Sequence, residues 1–185
     1  MLRFPRSRWR PRRNAPPLLL VVFALLALAA AARLVTRQER PGEVSGWSHV
    51  IDGDSLQVAG REVRLVGIDA PEGRQTCRRD GVDWNCGNAA RIELRRLIGN
   101  RRVTCRYRER DRYDRLLALC EANGRSLNAA MVSAGYAVDD GQFANEEAGA
   151  RAERRGLWAG DFERPRDWRR RHGNASTATD RRARE

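Results

Sequence analysis

Three short segments of this 185-residue chain hold side chains suited to phosphate and metal chemistry beyond what turns and strands require. The first is Ile51-Asp52-Gly53-Asp54-Ser55. Asp-Gly between strands is a common hairpin turn and needs no function, but it does not explain the second carboxylate, Asp54. The second segment runs Arg64-Leu65-Val66-Gly67-Ile68-Asp69-Ala70-Pro71-Glu72. It reads as an apolar strand with Arg64 at its start and Asp69 at its end. Pro71 cannot donate a ladder hydrogen bond and stops the strand, and Glu72 follows on the turn. If neighbouring strands bring Asp54 and Asp69 together, they make a hard oxygen site. Such a site suits calcium, which takes about six to eight oxygens, backbone carbonyls and waters included. The third segment, Asp111-Arg112-Tyr113-Asp114-Arg115, falls at a hairpin tip, where charge also serves solubility. Arg115 directly precedes the apolar strand Leu116–Leu119, so a rigid element holds its guanidinium where it can grip a phosphate through two hydrogen bonds. Tyr113 offers a ring for a base or a hydroxyl for a phosphate.

These side chains need elements to hold them. Gly46–Ile51, Ser55–Val58 and Val63–Ile68 read as strands, separated by turns at Asp52–Gly53 and Ala59–Gly60. Gly87–Ile98 reads as a helix with Ala90, Leu94, Leu97 and Ile98 on one face. Val103–Tyr107 and Leu116–Cys120 form a hairpin around the charged tip. Ser126 caps a helix with Leu127, Met131 and Ala134 at helical spacing, and Asn145 caps another that ends at Gly156. The fold class is therefore α+β, mainly β, with five short strands in a small closed barrel decorated by about three helices.

The net charge of +12 comes from arginine alone, since all 36 basic residues are Arg. Between Val44 and Phe162, however, 19 arginines face 18 carboxylates, so the excess lies in the two ends. A domain so nearly neutral cannot hold nucleic acid by bulk charge and depends on a few placed arginines. Residues 1–14 are a basic segment and 15–32 an uncharged run, APPLLLVVFALLALAAAA. A helix of that run measures about 27 Å, close to the hydrocarbon thickness of a bilayer. It reads as an uncleaved anchor, with a signal peptide cleaved near Ala29–Ala31 as the alternative. In both cases the arginines stay inside and the domain is exported. Residues 33–43 are a linker, 44–162 the folded domain, and 163–185 a charged tail without apolar periodicity, expected to be disordered apart from a docking point at Trp168. A monomer is the default expectation.

Four cysteines, Cys77, Cys86, Cys105 and Cys120, lack zinc-site spacing, and neither His49 nor His172 completes one. In an exported domain they point to disulfides, 77–86 across a polar loop and 105–120 across the hairpin. Four free thiols are the alternative in a cytosolic protein.

In order and spacing, Asp52–Ser55, Arg64–Glu72 and Asp111–Arg115, with Gly156-Leu157-Trp158 closing the domain, resemble the staphylococcal-nuclease family. Its pattern is D-G-D-[TS], R-[LFV]-x-x-[IV]-[DN]-[AT]-P-E, D-[RK]-Y-x-R and a terminal G-L-W. The resemblance covers Val44 to Trp158 and implies a five-stranded OB-type barrel with three helices. By motif position it implies that Asp54, Asp69 and the backbone carbonyl of Ala70 hold calcium, and that Glu72 is the general base. It also implies that Arg64 and Arg115 bind the scissile phosphate, with Arg112 and Tyr113 contacting the nucleic-acid substrate. The implied reaction releases the 5′ oxygen and leaves 3′-phosphate ends on DNA or RNA.

Three departures stand beside this resemblance. Asp114 occupies a position where glycine is common. Asp139 and Asp140, in GYAVDDG, stand in a region that lacks the downstream tyrosines that stack a nucleotide. The stretch Gly73–Asn85 is a longer, cysteine-bracketed loop. The rival readings are a non-catalytic OB-fold nucleic-acid-binding module and an envelope interaction module. Both predict losses among Asp54, Asp69, Glu72, Arg64 and Arg115, and none is lost.

Overall fold

Strands form where apolar residues alternate with polar ones. In β9 (Leu116–Ala122), Leu116, Ala118, Cys120 and Ala122 point inward. In β3 (Ser55–Val58) and β4 (Arg61–Leu65), Leu56, Val58, Val63 and Leu65 are fully buried. The computed structural model describes residues 22–23, 25–27 and 41–172. The chain divides into two units, Met1–Gln38 and Glu39–Glu185. In the first, the five described residues are helical. Among the described residues no helix is long and apolar enough to cross a membrane. The basic segment 1–14, most of the 15–32 run and the tail beyond 172 lie outside the described residues, and the anchor expectation with them.

In the second unit, β1 (Gly42–Gly46) and β2 (Ser48–Val50) replace the single strand expected over Gly46–Ile51. The sheet runs β1-β8-β9-β4-β3-β2, where β8 is Val103–Arg110, and the short β10 (Arg125–Ser126) pairs with β9. Among the described residues this sheet has seven strands in place of the five expected, and four more short strands pair outside it. Among the described residues no ladder joins β1 to β2, so the ladders trace an open path and not the closed barrel expected. Yet its two ends are consecutive in the chain, separated by Trp47 alone, whose carbonyl accepts from Ala59 N at 3.1 Å. β4 and β9 pair in parallel, with Val63 opposite Leu116 and Arg64 opposite Leu117.

Three helices accompany this sheet: α1 (Cys86–Ile98) and α2 (Leu127–Ser133) pack against it, and α3 (Ala144–Ala152) packs on α2. α1 presents Ala90, Leu94, Leu97 and Ile98 to the core, as its periodicity implies. Ser126 Oγ caps α2 by accepting from Ala129 N. Asn145 is not the cap of α3; Phe143 holds that position and makes no side-chain cap bond. The first turn is prepared instead by Asp139, whose Oδ1 accepts from the backbone N–H groups of Gly141, Gln142 and Phe143. The helix stops at Ala152, short of Gly156, and Gly156–Ala159 forms a 3-10 turn.

The expected loop Gly73–Asn85 is largely a hairpin, β6 (Thr76–Arg79) and β7 (Val82–Asn85). Its turn, Asp80-Gly81, has φ of 50° and 78°, the left-handed pair that closes two-residue hairpins. The polar residues of the two strands hide that signal, because only Cys77 of them is deeply buried. Both disulfides pair as expected, Cys77–Cys86 and Cys105–Cys120, the second between direct cross-strand partners. Residues 165–172, assigned by sequence to the charged tail, are helical, with Pro165 buried at the first turn.

Candidate active site

Asp54 sits at the mouth of the β3–β4 pair, its carbonyl accepting from Leu65 N at 2.8 Å. Gly53 lets the preceding turn lie against α1, where an added Cβ would come within 2.7 Å of both Ala70 and Ala90. β5 (Ile68–Asp69) delivers Asp69 and pairs with β11 (Val138–Asp139), Asp69 opposite Val138. The two carboxylates meet on one guanidinium. Arg64 Nη1 donates to Asp54 Oδ1 at 3.0 Å, and its Nη2 lies 3.0 Å from Asp54 Oδ2 and 3.2 Å from Asp69 Oδ1. Ser55 Oγ and Ala70 N complete the shell of Asp54.

Burial pushes the Asp54 carboxyl up to about 7; Arg64 works against that rise and Asp52 adds to it. One shared guanidinium thus leaves this carboxylate short of positive charge, which is what a divalent cation supplies. The donor set agrees: Asp54, Asp69 and the carbonyl of Ala70 are hard oxygens. Among the described residues no three acidic, His or Cys side chains gather as a ready metal cage. The candidate set is therefore two carboxylates and a backbone oxygen, with water left to complete the shell.

Glu72 stands on a turn locked from two sides. Gln75, fully buried, accepts from Glu72 N through Oε1 at 3.2 Å, and its backbone N donates to Glu72 O at 2.7 Å. The first turn of α1 closes over it: a Cβ at Gly87 would lie 1.8 Å from Glu72 O, so only glycine fits. The Cys77–Cys86 bridge ties β6 to the start of the same helix.

Arg115 is placed by the β4–β9 register two residues before Leu117, the partner of Arg64, and on the same face. Its recorded partners are Asp111, with Nε to Oδ2 at 2.7 Å, and the Tyr113 ring, 5.6 Å from its guanidinium carbon. Burial opposes ionisation of Asp111, but the Arg115 side chain and the N–H groups of Tyr113 and Arg115 outweigh it and hold its carboxyl below the ordinary range. Tyr113 is 65% exposed, with Arg112 stacked on it at 4.9 Å. Asp114 has φ of 66°, which accounts for glycine being common there, and its carboxylate faces solvent and pairs with Arg110. Asp139 and Asp140 have structural partners, Asp139 before α3 and Asp140 on Arg166 at 2.8 Å.

The structure thus joins Asp54, Asp69, Ala70 and Arg64 directly and sets Glu72 on the adjoining turn. It records no contact from Arg115, Arg112 or Tyr113 to that group. Two residues were missed by sequence. Gln75 carries no motif. Arg169, in the helix over 165–172, reaches both Asp69 and Glu72. The only signal for it was Trp168, marked as a docking point in an otherwise polar tail.

The staphylococcal nuclease homologue profile matches residues 62–160, more than half of the chain. This chain belongs to the staphylococcal nuclease family. It is 34% identical over 137 residues to the succinoglycan biosynthesis protein ExoI of Rhizobium meliloti, covering 69% of this chain and 72% of that protein. It is 34% identical over 121 residues to an Escherichia coli O157:H7 protein named as an uncharacterized endonuclease, covering 60% of this chain and 73% of that one. With protein ParB of Escherichia coli it shares 34% identity over 176 residues, 82% of this chain and 94% of the relative. The family match extends over Arg64, Asp69, Glu72 and Arg115, while Asp54 lies before it.

Proposed function

We propose that this nuclease-family chain is a calcium-dependent endonuclease that hydrolyses phosphodiester bonds in DNA and RNA outside the cytoplasm and leaves 3′-phosphate ends. The observation that carries this reading is the junction of Asp54 and Asp69 on Arg64, with Glu72 locked on the next turn. Asp54, Asp69 and the Ala70 carbonyl hold the cation, which when bound supplies positive charge to a phosphate oxygen. Arg64 and Arg115 offer fixed guanidiniums to the charge that grows on the phosphate as a fifth oxygen approaches. Glu72 accepts a proton from the attacking water. Tyr113, exposed at the hairpin tip, gives a base a face to stack on.

The uncharged run at 15–32 and two disulfides support an exported domain, tethered through the N-terminal helix or released by cleavage of a signal. The protein acts as a monomer with an OB-type barrel, the β1–β2 continuity supporting that architecture. The test is cleavage of denatured DNA and of RNA with calcium or with chelator, followed by end-group analysis. Calcium-dependent fragments ending in 3′-phosphate are expected. No cleavage with calcium overturns the enzyme reading, and 5′-phosphate ends overturn the assigned bond.

A further inference from the structure

The guanidinium of Arg169 lies between the candidate cation ligand and the candidate base. Its Nη1 donates to Asp69 Oδ1 at 2.9 Å and to Glu72 Oε1 at 2.7 Å, and its Nη2 donates to Asp69 Oδ2 at 3.1 Å. Asp69 Oδ1 already accepts from Arg64. A carboxylate has about four lone-pair directions, so three guanidinium bonds leave Asp69 little capacity for a metal. A cation beside the same oxygens also meets the fixed positive charge of the guanidinium.

The attachment of this arginine differs from that of Arg64, which a strand holds. Up to Pro165 the chain is packed: Phe162 stacks edge-on against Trp158 and Gln75 Nε2 donates to Glu163 O at 2.7 Å. Beyond Pro165 the side-chain ties to the preceding chain are, among the described residues, ionic: Arg166 to Asp140, 65% and 51% exposed, Arg171 to Glu163, and Arg169, 37% exposed, to the buried Asp69 and to Glu72. An exposed pair such as Arg166–Asp140 holds weakly and is screened by salt, so Arg169 is the main anchor of this helix on the site. A cleft of 250 Å³ lies alongside, lined by Asp69, Asp140, Arg166 and Arg170 among others, so the helix is not packed solidly over the site.

We propose that Arg169 is an internal competitor for the divalent cation: it occupies Asp69 and Glu72 in the cation-free protein, and cation binding is coupled to undocking of the 165–172 helix. This rests on the reading of Asp54 and Asp69 as cation ligands. The coupling is reciprocal, so whatever loosens the helix tightens the cation. Arg169 is thus a residue that sets how much cation the site requires, and a second role falls to it in releasing Glu72 for proton transfer only once the cation has arrived.

Calcium chloride titrated calorimetrically into the full chain tests this, comparing the parent with R169Q, R169K and R166Q. R169Q is expected to tighten calcium binding about tenfold or more, the lower end of what a charge-assisted hydrogen bond contributes. R169K, which keeps the charge but loses the fork, gives a smaller gain and serves if R169Q folds poorly. R166Q, which cuts only the tether, shifts affinity in the same direction by less. Hydrogen exchange gives the second readout: calcium speeds exchange over 165–172 in the parent while slowing it over 52–72. Equal or weaker calcium binding in R169Q and R169K, or slower exchange over 165–172 with calcium, overturns the competition alone. Absence of calcium binding in every variant overturns the calcium reading and the competition with it.

Discussion

Arg64 is the residue on which the site balances, because it partners both buried carboxylates. Removing one partner of a buried pair leaves an uncompensated charge and costs about 3–5 kcal/mol. Arg64 is 24% exposed and Asp69 keeps Arg169, so R64Q is expected to cost less than a fully buried pair, about 2–3 kcal/mol. Chemical denaturation of the cation-free protein measures it, and the same variant should lose about 100-fold or more in cleavage rate. Asp111 carries a separate prediction. Its carboxyl is held below the unfolded value, so its stabilisation is complete above pH 3.8 and fades as the pH falls through the lower folded value. D111N should therefore lower the melting temperature at pH 5 to 7 and bring the two proteins together as acid is added. A gap that widens in acid contradicts the assignment. The side chains that read clearly from sequence, Asp54, Asp69, Glu72 and Arg64, are those that sit within a strand or one turn of it. Arg169 did not, because an arginine 97 residues from Glu72 reaches it only by tertiary docking, and its neighbours Arg170 and Arg171 look identical to it in sequence.

At the scale of elements, the turn bearing Glu72 depends on α1 more than on its own residues. G87A would drive a methyl group into Glu72 O, and overpacking of this kind costs about 1–3 kcal/mol. Turnover should fall with little change in KM, since the displaced group is the proposed base and not a proposed phosphate contact; single-turnover kinetics separate the two. The two disulfides are expected to divide in the same way. Replacing Cys105 and Cys120 together by alanine opens a closure of separation 15 and should cost about 3 kcal/mol of stability with turnover kept. Replacing Cys77 and Cys86 should lower turnover as well, because that bridge braces the helix against the Glu72 turn. The hairpin carrying Cys77 shows the limit of reading elements from pattern. Alternation fails when only one side chain faces a core, so Asp80-Gly81 passed for loop punctuation. In the β8–β9 hairpin, β9 has a buried face along its length and Val103 and Cys105 of β8 join it, so the pattern reads to within a few residues.

For the molecule as a whole, charge is segregated: a nearly neutral domain stands between strongly basic ends. A fragment spanning residues 39–163, without the basic N-terminal segment and the basic tail, should then bind single-stranded DNA through few ionic contacts. With Arg64, Arg112 and Arg115 on phosphates, the dependence of log affinity on log salt has a slope of about −2, and the full chain, with its basic N-terminus, a steeper one. Equal slopes would place the extra arginines away from the substrate. The overall arrangement was only partly legible, because a strand that kinks and serves both ends of the sheet looks in sequence like one short strand. That break, at Trp47, bears on where the chain can be cut without harm to the sheet. β1 lies against β8 through five register pairs, Gly42 with Tyr107 to Gly46 with Val103. A protease that cuts before residue 41 frees an intact domain. One that cuts a few residues later strips β1 and bares the edge of β8, an invitation to pair with another chain. The intact domain thus begins at the first residue of the sheet, and trimming beyond it would appear as aggregation before any loss of the proposed site residues.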